Sequence, residues 1–217
     1  KIGDTATVTI TAGNSETGLT VSSATFNGQT LSSLTDAGGG SYTGVYTVVE
    51  GNTDVADGGA AVVSLAFTDA AGNISATTTA VTLSSESIDA TKPTISAVSI
   101  ADSAMNIGDV VTATITVGNA VGQVLTLSSG TIGGFTLGSL ARVSDTSYTA
   151  TFTVTDGGTD VAAGADIPVS LILADPAGNT SATYSTAISQ TSDSIDANAP
   201  TITGVAVADG TYKIGDT

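Results

Sequence analysis

The chain has 217 residues and a formal net charge of −16, because only 4 Lys and Arg stand against 20 Asp and Glu. It contains no His, Cys or Trp, which excludes the usual zinc and copper sites, a Cys nucleophile and a Ser-His-Asp relay. So few cations also argue against binding to a phosphate backbone. We therefore expect no nucleic-acid partner, and any catalysis would depend on carboxylates alone.

Hydrophobic residues make up 41% of the chain, aromatic residues 4% and charged residues 11%. This composition predicts a folded protein with thin aliphatic cores, as in β-sandwiches with small side chains. No apolar run approaches the roughly 20 residues that span a bilayer, so we expect no membrane insertion by this segment. The first residues lack the apolar region of a signal peptide, and we expect any secretion signal outside the segment.

The predicted elements, taken in chain order, are all strands. Residues 5–11 alternate Thr with Ala6, Val8 and Ile10, which is typical of a half-buried strand, and residues 63–67 alternate in the same way. Further strands are predicted at 95–101, 110–117, 125–131, 136–140, 148–154, 168–173, 182–189 and 201–208. Turn signals fall between them at the spacing of a Greek-key sandwich.

An internal repeat organises these strands. The tripeptide Ile-Gly-Asp starts at Ile2, Ile107 and Ile214, at offsets of 107 − 2 = 105 and 214 − 107 = 107 residues. Other repeated segments pair 53–56 with 159–162, 69–73 with 175–179 and 87–90 with 194–197. A period of this length is the size of one small domain and is too long for a solenoid turn. We predict an all-β chain of tandem Ig-like Greek-key β-sandwich domains of about 105 residues each.

Linkers that contain proline predict the domain boundaries. Pro93 and Pro200 lie in the linkers 89–93 and 196–200, where they disfavour helix and hold the chain extended. The predicted domains are 1–91, an Ig-like repeat without its first strand, 92–198, a complete repeat, and 199–217, the first strand of a third repeat. An alternative frame starts each unit at Ile-Gly-Asp, but it puts the linker inside a domain. In the first frame, the strand at 201–208 is hypothesised to complete the first unit of a neighbouring molecule.

Acidic residues are predicted to converge where two domains meet. Strands of an Ig-like sandwich alternate in direction, so its loops divide between two ends. Following that alternation places acidic loops of the first domain beside the linker, facing the loop before the last strand of the second domain. The predicted first junction consists of Asp4, Glu50, Asp54, Asp57, Asp89, Asp175 and Asn179. The corresponding residues of the second junction are Asp102, Asp109, Asp156, Asp160, Asp166 and Asp196.

Such clusters of carboxylates predict a bound cation. Like charges a few ångströms apart repel by about 1 kcal/mol each in water and by more when partly buried. A bound Ca²⁺ turns this repulsion into a net attraction. It accepts roughly six to eight oxygens in irregular geometry, whereas Mg²⁺ requires octahedral coordination. For any single Asp, the plainer interpretation is that the residue favours turns and solubility. Turn chemistry does not explain convergence on one end of a domain, so the clusters predict Ca²⁺ at the junctions.

The loops 69–73 and 175–179 read Asp-x-Ala-Gly-Asn, and each is followed by a strand and then by a linker that begins at Asp89 or Asp196. This pattern resembles the bacterial Ig-like repeats of very large secreted adhesins, above all the extender repeats of giant repeats-in-toxin (RTX) adhesins, including the ice-binding type. The resemblance implies Ca²⁺ sites at Asp69, Asn73, Asp89, Asp175, Asn179 and Asp196. Asp57 is replaced by Ala163 in the second repeat, so the two junctions need not hold the same number of ions.

The resemblance implies a stalk outside the cell. In such a protein, repeats stiffened by Ca²⁺ contact neighbouring repeats of the same polypeptide and project a separate domain that carries the adhesion target. The arm is exported by type I secretion and extends from the surface of a Gram-negative cell. On this interpretation the chain is not an enzyme.

Two other functions compete with the stalk. Rows of Thr, such as Thr5, Thr7, Thr9 and Thr11, suggest direct adhesion to ice or glycan, although Thr is also the ordinary solvent-side residue of a strand. A glycosidase would need two carboxyl groups about 5 to 9 Å apart across a cleft. Repeated identical units favour architecture over a single active site.

Overall fold

The computed structural model describes residues 1–191 and 194–216, which are built from β-strands. Within them lies one 3-10 turn, Gly13–Ser15, and no α-helix. The predicted all-β class is therefore confirmed. None of the helical structure in this part of the chain is long or apolar enough to cross a bilayer.

The first unit, residues 1–91, holds seven strands in two antiparallel sheets. They are β1 (Thr5–Thr11), β2 (Thr20–Phe26), β3 (Gln29–Thr30), β4 (Ser32–Gly38), β5 (Ser41–Thr47), β6 (Ala60–Thr68) and β7 (Thr78–Thr82). One sheet has the order β1-β5-β4 and the other β3-β2-β6-β7. Because successive side chains of a strand point to opposite faces, the four Thr of β1 are exposed while Val8 and Ile10 are half-buried.

The second unit, residues 92–198, repeats this plan with additional strands. They are β8 (Thr94–Ile100), β9 (Met105–Asn106), β10 (Val110–Gly118), β11 (Thr126–Ile132), β12 (Phe135–Thr136), β13 (Ala141–Ser144), β14 (Ser147–Thr153), β15 (Val169–Ala174) and β16 (Ile195–Asp196). The sheets have the orders β13-β14-β10-β8 and β12-β11-β15, and β16 pairs in parallel with β9.

The two units differ at one sheet edge. β1 pairs with β5 as β10 pairs with β14, with Thr5 opposite Thr47 and Val110 opposite Thr153. In the second unit, β8 pairs with the other edge of β10. Among the described residues, no strand pairs with the other edge of β1.

Two predicted strands of the second unit are wrong. Residues 136–140 form no continuous strand, because the chain there passes from β12 in one sheet to β13 in the other. Residues 182–189 make only isolated bridges, Tyr184 with Leu171 and Ile188 with Ile167. The position between these two residues on the same face is Thr186, so the apolar face of this segment is interrupted.

The strand predicted at 201–208 is not formed either. These residues lie exposed without secondary structure. In the second unit the equivalent strand, β8, is held by β10, which begins at Val110. The repeat equivalent of that position is 110 + 107 = 217, so the pairing partner of 201–208 is not among the described residues. A single strand without a partner leaves its backbone groups to water and has no reason to stay extended.

Each unit has its own hydrophobic core between its sheets. In the second unit, Ile115 and Phe152 are buried, and Phe152 stacks on Phe135 with ring centroids 5.9 Å apart. The smaller core of the first unit is built around Phe26 and Tyr46, whose centroids are 4.8 Å apart. The two clusters share no residue. Separate cores are what independently folding units require.

Candidate metal centre at the unit junction

Each unit has a loop in which the last residue, an asparagine, is hydrogen-bonded to the first residue, an aspartate. In the loop 175–179, the Asn179 N–H donates to Asp175 Oδ1 at 2.8 Å and Asn179 Nδ2 donates to Asp175 Oδ2 at 3.0 Å. Asn73 and Asp69 make the same two bonds, at 2.8 and 2.7 Å. The turn also requires the left-handed backbone of Gly178, with φ of +90°. The motif therefore fixes the shape of the loop in both units.

Only the loop of the second unit lies at the contact between units. Asp175 and Asn179 are each 4% exposed. Asn179 Nδ2 donates to the carbonyl oxygen of Asp89 at 3.2 Å and to Asp89 Oδ1 at 3.0 Å. The Ile2 N–H donates to Asn179 Oδ1 at 2.7 Å. Asn179 thus joins the linker and the start of the first unit to the second unit.

An aspartate holds the linker in place at the end of each unit. The Ala90 N–H donates to Asp54 Oδ1 at 2.7 Å, and in the second repeat the Ala197 N–H donates to Asp160 Oδ1 at the same distance. Charge-assisted bonds of this kind are among the stronger hydrogen bonds in proteins. Asp54 and Asp160 therefore have a structural role whether or not a cation is bound.

At the first junction, two neighbouring carboxylates act on Asp89. Burial raises the pKa of Asp89, and the neighbouring charges of Asp175 and Asp54 raise it further. The Thr91 N–H, which donates to Asp89 Oδ1 at 3.3 Å, acts in the opposite direction. A raised carboxyl pKa means that the surroundings disfavour the ionised form. When Asp89 is charged, its burial and, to a smaller extent, its two acidic neighbours therefore disfavour the junction.

Two polar residues of the junction are missing from the sequence-based set. Gln123 Nε2 lies 3.4 Å from Asp89 Oδ2, while Gln123 Oε1 is buried and accepts no hydrogen bond from the described residues. Asn119 Nδ2 donates to the carbonyl oxygen of Lys92 at 3.2 Å. Both residues lie in the loop after β10. Because successive strands alternate in direction, that loop lies at the linker end of the unit. This alternation could have predicted both residues as members of the junction.

The other three predicted members of the first junction have different partners. Asp4 Oδ2 accepts a bond from the terminal amine of Lys1 at 3.1 Å, which lowers the pKa of Asp4. Glu50 pairs with Lys92 Nζ of the linker at 2.7 Å, and Asp57 is exposed in a turn. The structure brings Asp54, Asp89, Asp175 and Asn179 together, and Glu50 reaches the same linker through Lys92.

Part of the predicted second set also comes together. Asp160 Oδ1 accepts a bond from Asn198 Nδ2 at 2.8 Å, and Asp196 Oδ1 accepts one from the Asn198 N–H at 3.3 Å. Asp156 Oδ1 accepts a bond from the Ala199 N–H at 3.3 Å. These three aspartates surround the second linker as their counterparts surround the first.

The other predicted members of the second set have separate surroundings. Asp102 Oδ2 accepts a bond from Thr191 Oγ1 at 3.1 Å, and Asp109 Oδ2 accepts one from the Asn106 N–H at 2.7 Å. Asp166 is exposed. Over residues 1–191 and 194–216, no three acidic side chains are grouped closely enough to hold a metal ion by themselves. A cation at either junction would therefore need amide and carbonyl oxygens in addition to carboxylates.

In each of two successive units, antiparallel sheets pack around a core of their own. This arrangement defines a tandem β-sandwich protein. Residues 89–195 match the family model described as the bacterial Ig-like domain. That family is one of non-catalytic modules. The match begins at Asp89 and includes Asp175 and Asn179, so the linker aspartate and the loop that it contacts belong to one family unit.

Two solved structures are similar to the chain at low identity. The fibronectin(III)-like modules of Clostridium thermocellum CbhA are 19% identical, with 88% of this chain and 87% of that chain covered and a TM-score of 0.32. The Bacteroides ovatus mixed-linkage glucan utilization locus protein SGBP-B, in complex with a mixed-linkage heptasaccharide, is 17% identical, with 90% and 42% covered and a TM-score of 0.23. No curated protein matches the chain.

Proposed function

We propose that this chain is a stalk segment of a large bacterial surface adhesin of the RTX type, in which Ca²⁺ at the unit junctions restricts bending between successive Ig-like units. The observation that carries the proposal is the link made by Asn179, which joins Asp89 of the linker to Asp175 of the next unit. It ties two units together through charged groups that repel one another. The stalk acts outside the cell, and other domains of the protein carry the adhesion target.

The oxygen atoms of the first junction fit Ca²⁺ chemistry. Carboxylates come from Asp54, Asp89 and Asp175, a carbonyl oxygen from Asp89, and an amide oxygen from Gln123. Ca²⁺ accepts this mixture of ligands, whereas softer metals prefer the His and Cys that the chain lacks. A buried oxygen without a donor, such as Gln123 Oε1, calls for a water molecule or an ion. When bound, the ion would supply the positive charge that the repelling carboxylates need.

The effect on shape follows from where these residues lie. Asp54 belongs to the first unit, Asp89 to the linker, and Asp175 and Gln123 to the second unit. Any group that holds all of them together removes freedom at the hinge. Repeated over many units, this restriction would produce a rod that extends its tip away from the cell surface.

Calcium is expected to stabilise and lengthen the protein. Ca²⁺ at about 100 times its Kd stabilises a folded state by about 2.7 kcal/mol, which raises the melting temperature of a domain of about 100 residues by about 10 °C. The measurements are thermal melting and small-angle X-ray scattering, each in Ca²⁺ and in EDTA. Mg²⁺ at the same concentration is the ionic control. An identical melting temperature and maximum dimension in Ca²⁺ and EDTA would refute the proposal.

The substitution Asp89→Asn is expected to act in opposite directions with and without calcium. In EDTA it removes one of the repelling charges, so the variant should melt at or above the temperature of the wild type. In Ca²⁺ it removes a ligand, so the variant should lose most of the stabilisation that the ion gives the wild type. The measurement is thermal melting of both proteins under both conditions.

Asp36→Asn is the matched control for that experiment. Asp36 is an exposed residue of β4 whose carboxylate accepts a bond from the Gly38 N–H within the same strand. It makes the same change of charge away from the junction, and it should alter neither the EDTA melt nor the calcium response. If Asp89→Asn lowered stability equally in Ca²⁺ and EDTA, Asp89 would have a purely structural role.

A further inference from the structure

The turn 49–52 of the first unit contacts the linker at two points. The Gly51 N–H donates to the carbonyl oxygen of Ala90 at 3.0 Å, and the carboxylate of Glu50 pairs with Lys92 Nζ at 2.7 Å. Ala90 has no exposed surface. The path of the linker where it leaves the first unit therefore depends on the shape of this turn.

A buried hydrogen-bond network connects the turn to the core of the first unit. The Tyr46 hydroxyl donates to Asn52 Oδ1 at 3.1 Å, and the Val49 N–H donates to the same oxygen at 2.9 Å. Asn27 Nδ2 donates to the Tyr46 hydroxyl oxygen at 3.2 Å and to the carbonyl oxygen of Thr53 at 2.8 Å. Tyr46 and Asn27 are both buried. Removing one partner would leave a buried polar atom unpaired, so the network fixes the turn on the core strand β5.

The second unit supports its equivalent turn in another way. The Gly157 N–H donates to the carbonyl oxygen of Ala197 at 2.8 Å, which repeats the bond between turn and linker in the first unit. The three side chains of the network are replaced at the repeat positions by Gly133, Phe152 and Gly158. The ring of Phe135 occupies the space, because a Cβ on Gly158 would lie 2.5 Å from Phe135 Cζ. Apolar packing thus supports the second turn, and a polar network supports the first.

We propose that Tyr46 and Asn27 are positioning residues for the first linker, and that the hydroxyl of Tyr46 has this role while its ring serves the core. The hydroxyl accepts a bond from Asn27 and donates one to Asn52, so it is the centre of the network. Without it the turn 49–52 loses its connection to β5, and its bond to the linker opens more often. The ring remains packed on Phe26, with centroids 4.8 Å apart.

The inference goes beyond the calcium proposal, because these contacts need no bound ion. It makes the two successive junctions different. The first linker depends on a hydroxyl group, whereas Phe152 has no hydroxyl and the second linker depends on the fit of Phe135 against Gly158. A change that removes one oxygen atom is therefore expected to affect the first linker alone.

Amide hydrogen exchange measured by NMR, in EDTA at neutral pH, tests the proposal. In Tyr46→Phe, the N–H groups of Gly51 and Ala90 should exchange about tenfold faster than in the wild type, because local opening of the turn exposes them. The equivalent N–H groups of the second unit, those of Gly157 and Ala197, should keep their rates. Thermal melting of each variant checks that it is folded.

Tyr42→Phe is the matched control. Tyr42 is buried at the other end of β5, and its hydroxyl oxygen accepts a bond from the Leu19 N–H at 2.9 Å. The substitution removes the same group from the same strand, so its cost to the stability of the unit is similar. Because it leaves the turn 49–52 untouched, the N–H groups of Gly51 and Ala90 should exchange as in the wild type.

Asn52→Ala provides a second variant that leaves both aromatic rings in place. It removes the oxygen that accepts bonds from the Tyr46 hydroxyl and the Val49 N–H, and it should speed exchange at Gly51 and Ala90 as well. Unchanged rates at these two residues in Tyr46→Phe would overturn the proposal. So would equal acceleration in Tyr46→Phe and Tyr42→Phe, because a general loss of stability would then be the cause. Without calcium in the sample, neither outcome bears on the stalk proposal.

Discussion

Replacing Phe152 with Ala is expected to destabilise the second unit by about 3 to 5 kcal/mol, because the large ring leaves a cavity that a packed core does not fill. Phe152 is 2% exposed and stacks on Phe135. In a domain of about 100 residues, this loss lowers the melting temperature by about 10 °C or more. The melting of the first unit should not change, since the two cores share no residue.

Tyr46→Ala is the matched substitution in the first unit. Tyr46 occupies the repeat position of Phe152 and is 1% exposed. It should lower only the transition of the first unit, and differential scanning calorimetry can follow both transitions in one experiment. If each substitution shifted both transitions by the same amount, the chain would unfold as one cooperative block. The view of separate units in series would then be wrong.

The fold was predictable where apolar residues alternate strictly. The prediction of 110–117 differs from β10 by one residue, and that of 95–101 from β8 by one residue at each end. Prediction failed at 182–189, because the polar Thr186 lies between Tyr184 and Ile188 on one face and only the latter two residues bridge to the sheet. It failed at 201–208 for another reason. A strand pattern in the sequence forms a strand only when a partner strand is present.

The location of the junction could be predicted from topology, but the partners of its individual side chains could not. The direction of successive strands is enough to bring Asp89, Asp175 and Asn179 to one place, and the structure brings them there. The partner of each acidic residue depends on local geometry. Glu50 pairs with Lys92 of the linker, and this ion pair follows from the folded positions of two long side chains. The position of Gln123 depends on the conformation of a loop, and no pattern of charges in the sequence encodes it.

Asn179→Ala is expected to cost about 3 kcal/mol, since it removes the amide that bonds Asp175 and Asp89 and leaves a buried carboxylate short of a donor. It also removes the oxygen that accepts the Ile2 N–H. The junction should therefore loosen at the same time as the second unit weakens. Thermal melting measures the first effect, and small-angle X-ray scattering measures the second as a broader distribution of dimensions.

Asn73→Ala separates the role of the loop from that of the junction. Asn73 makes the same two bonds within its own loop, but it is exposed and has no partner in the other unit among the described residues. Its replacement should cost about 0.5 kcal/mol and leave the scattering unchanged. The difference between the two variants then measures what the contact between units contributes. If both variants lost the same stability, the hydrogen bonds of Asn179 would stabilise only its own loop, and Asn179 would not hold the units together.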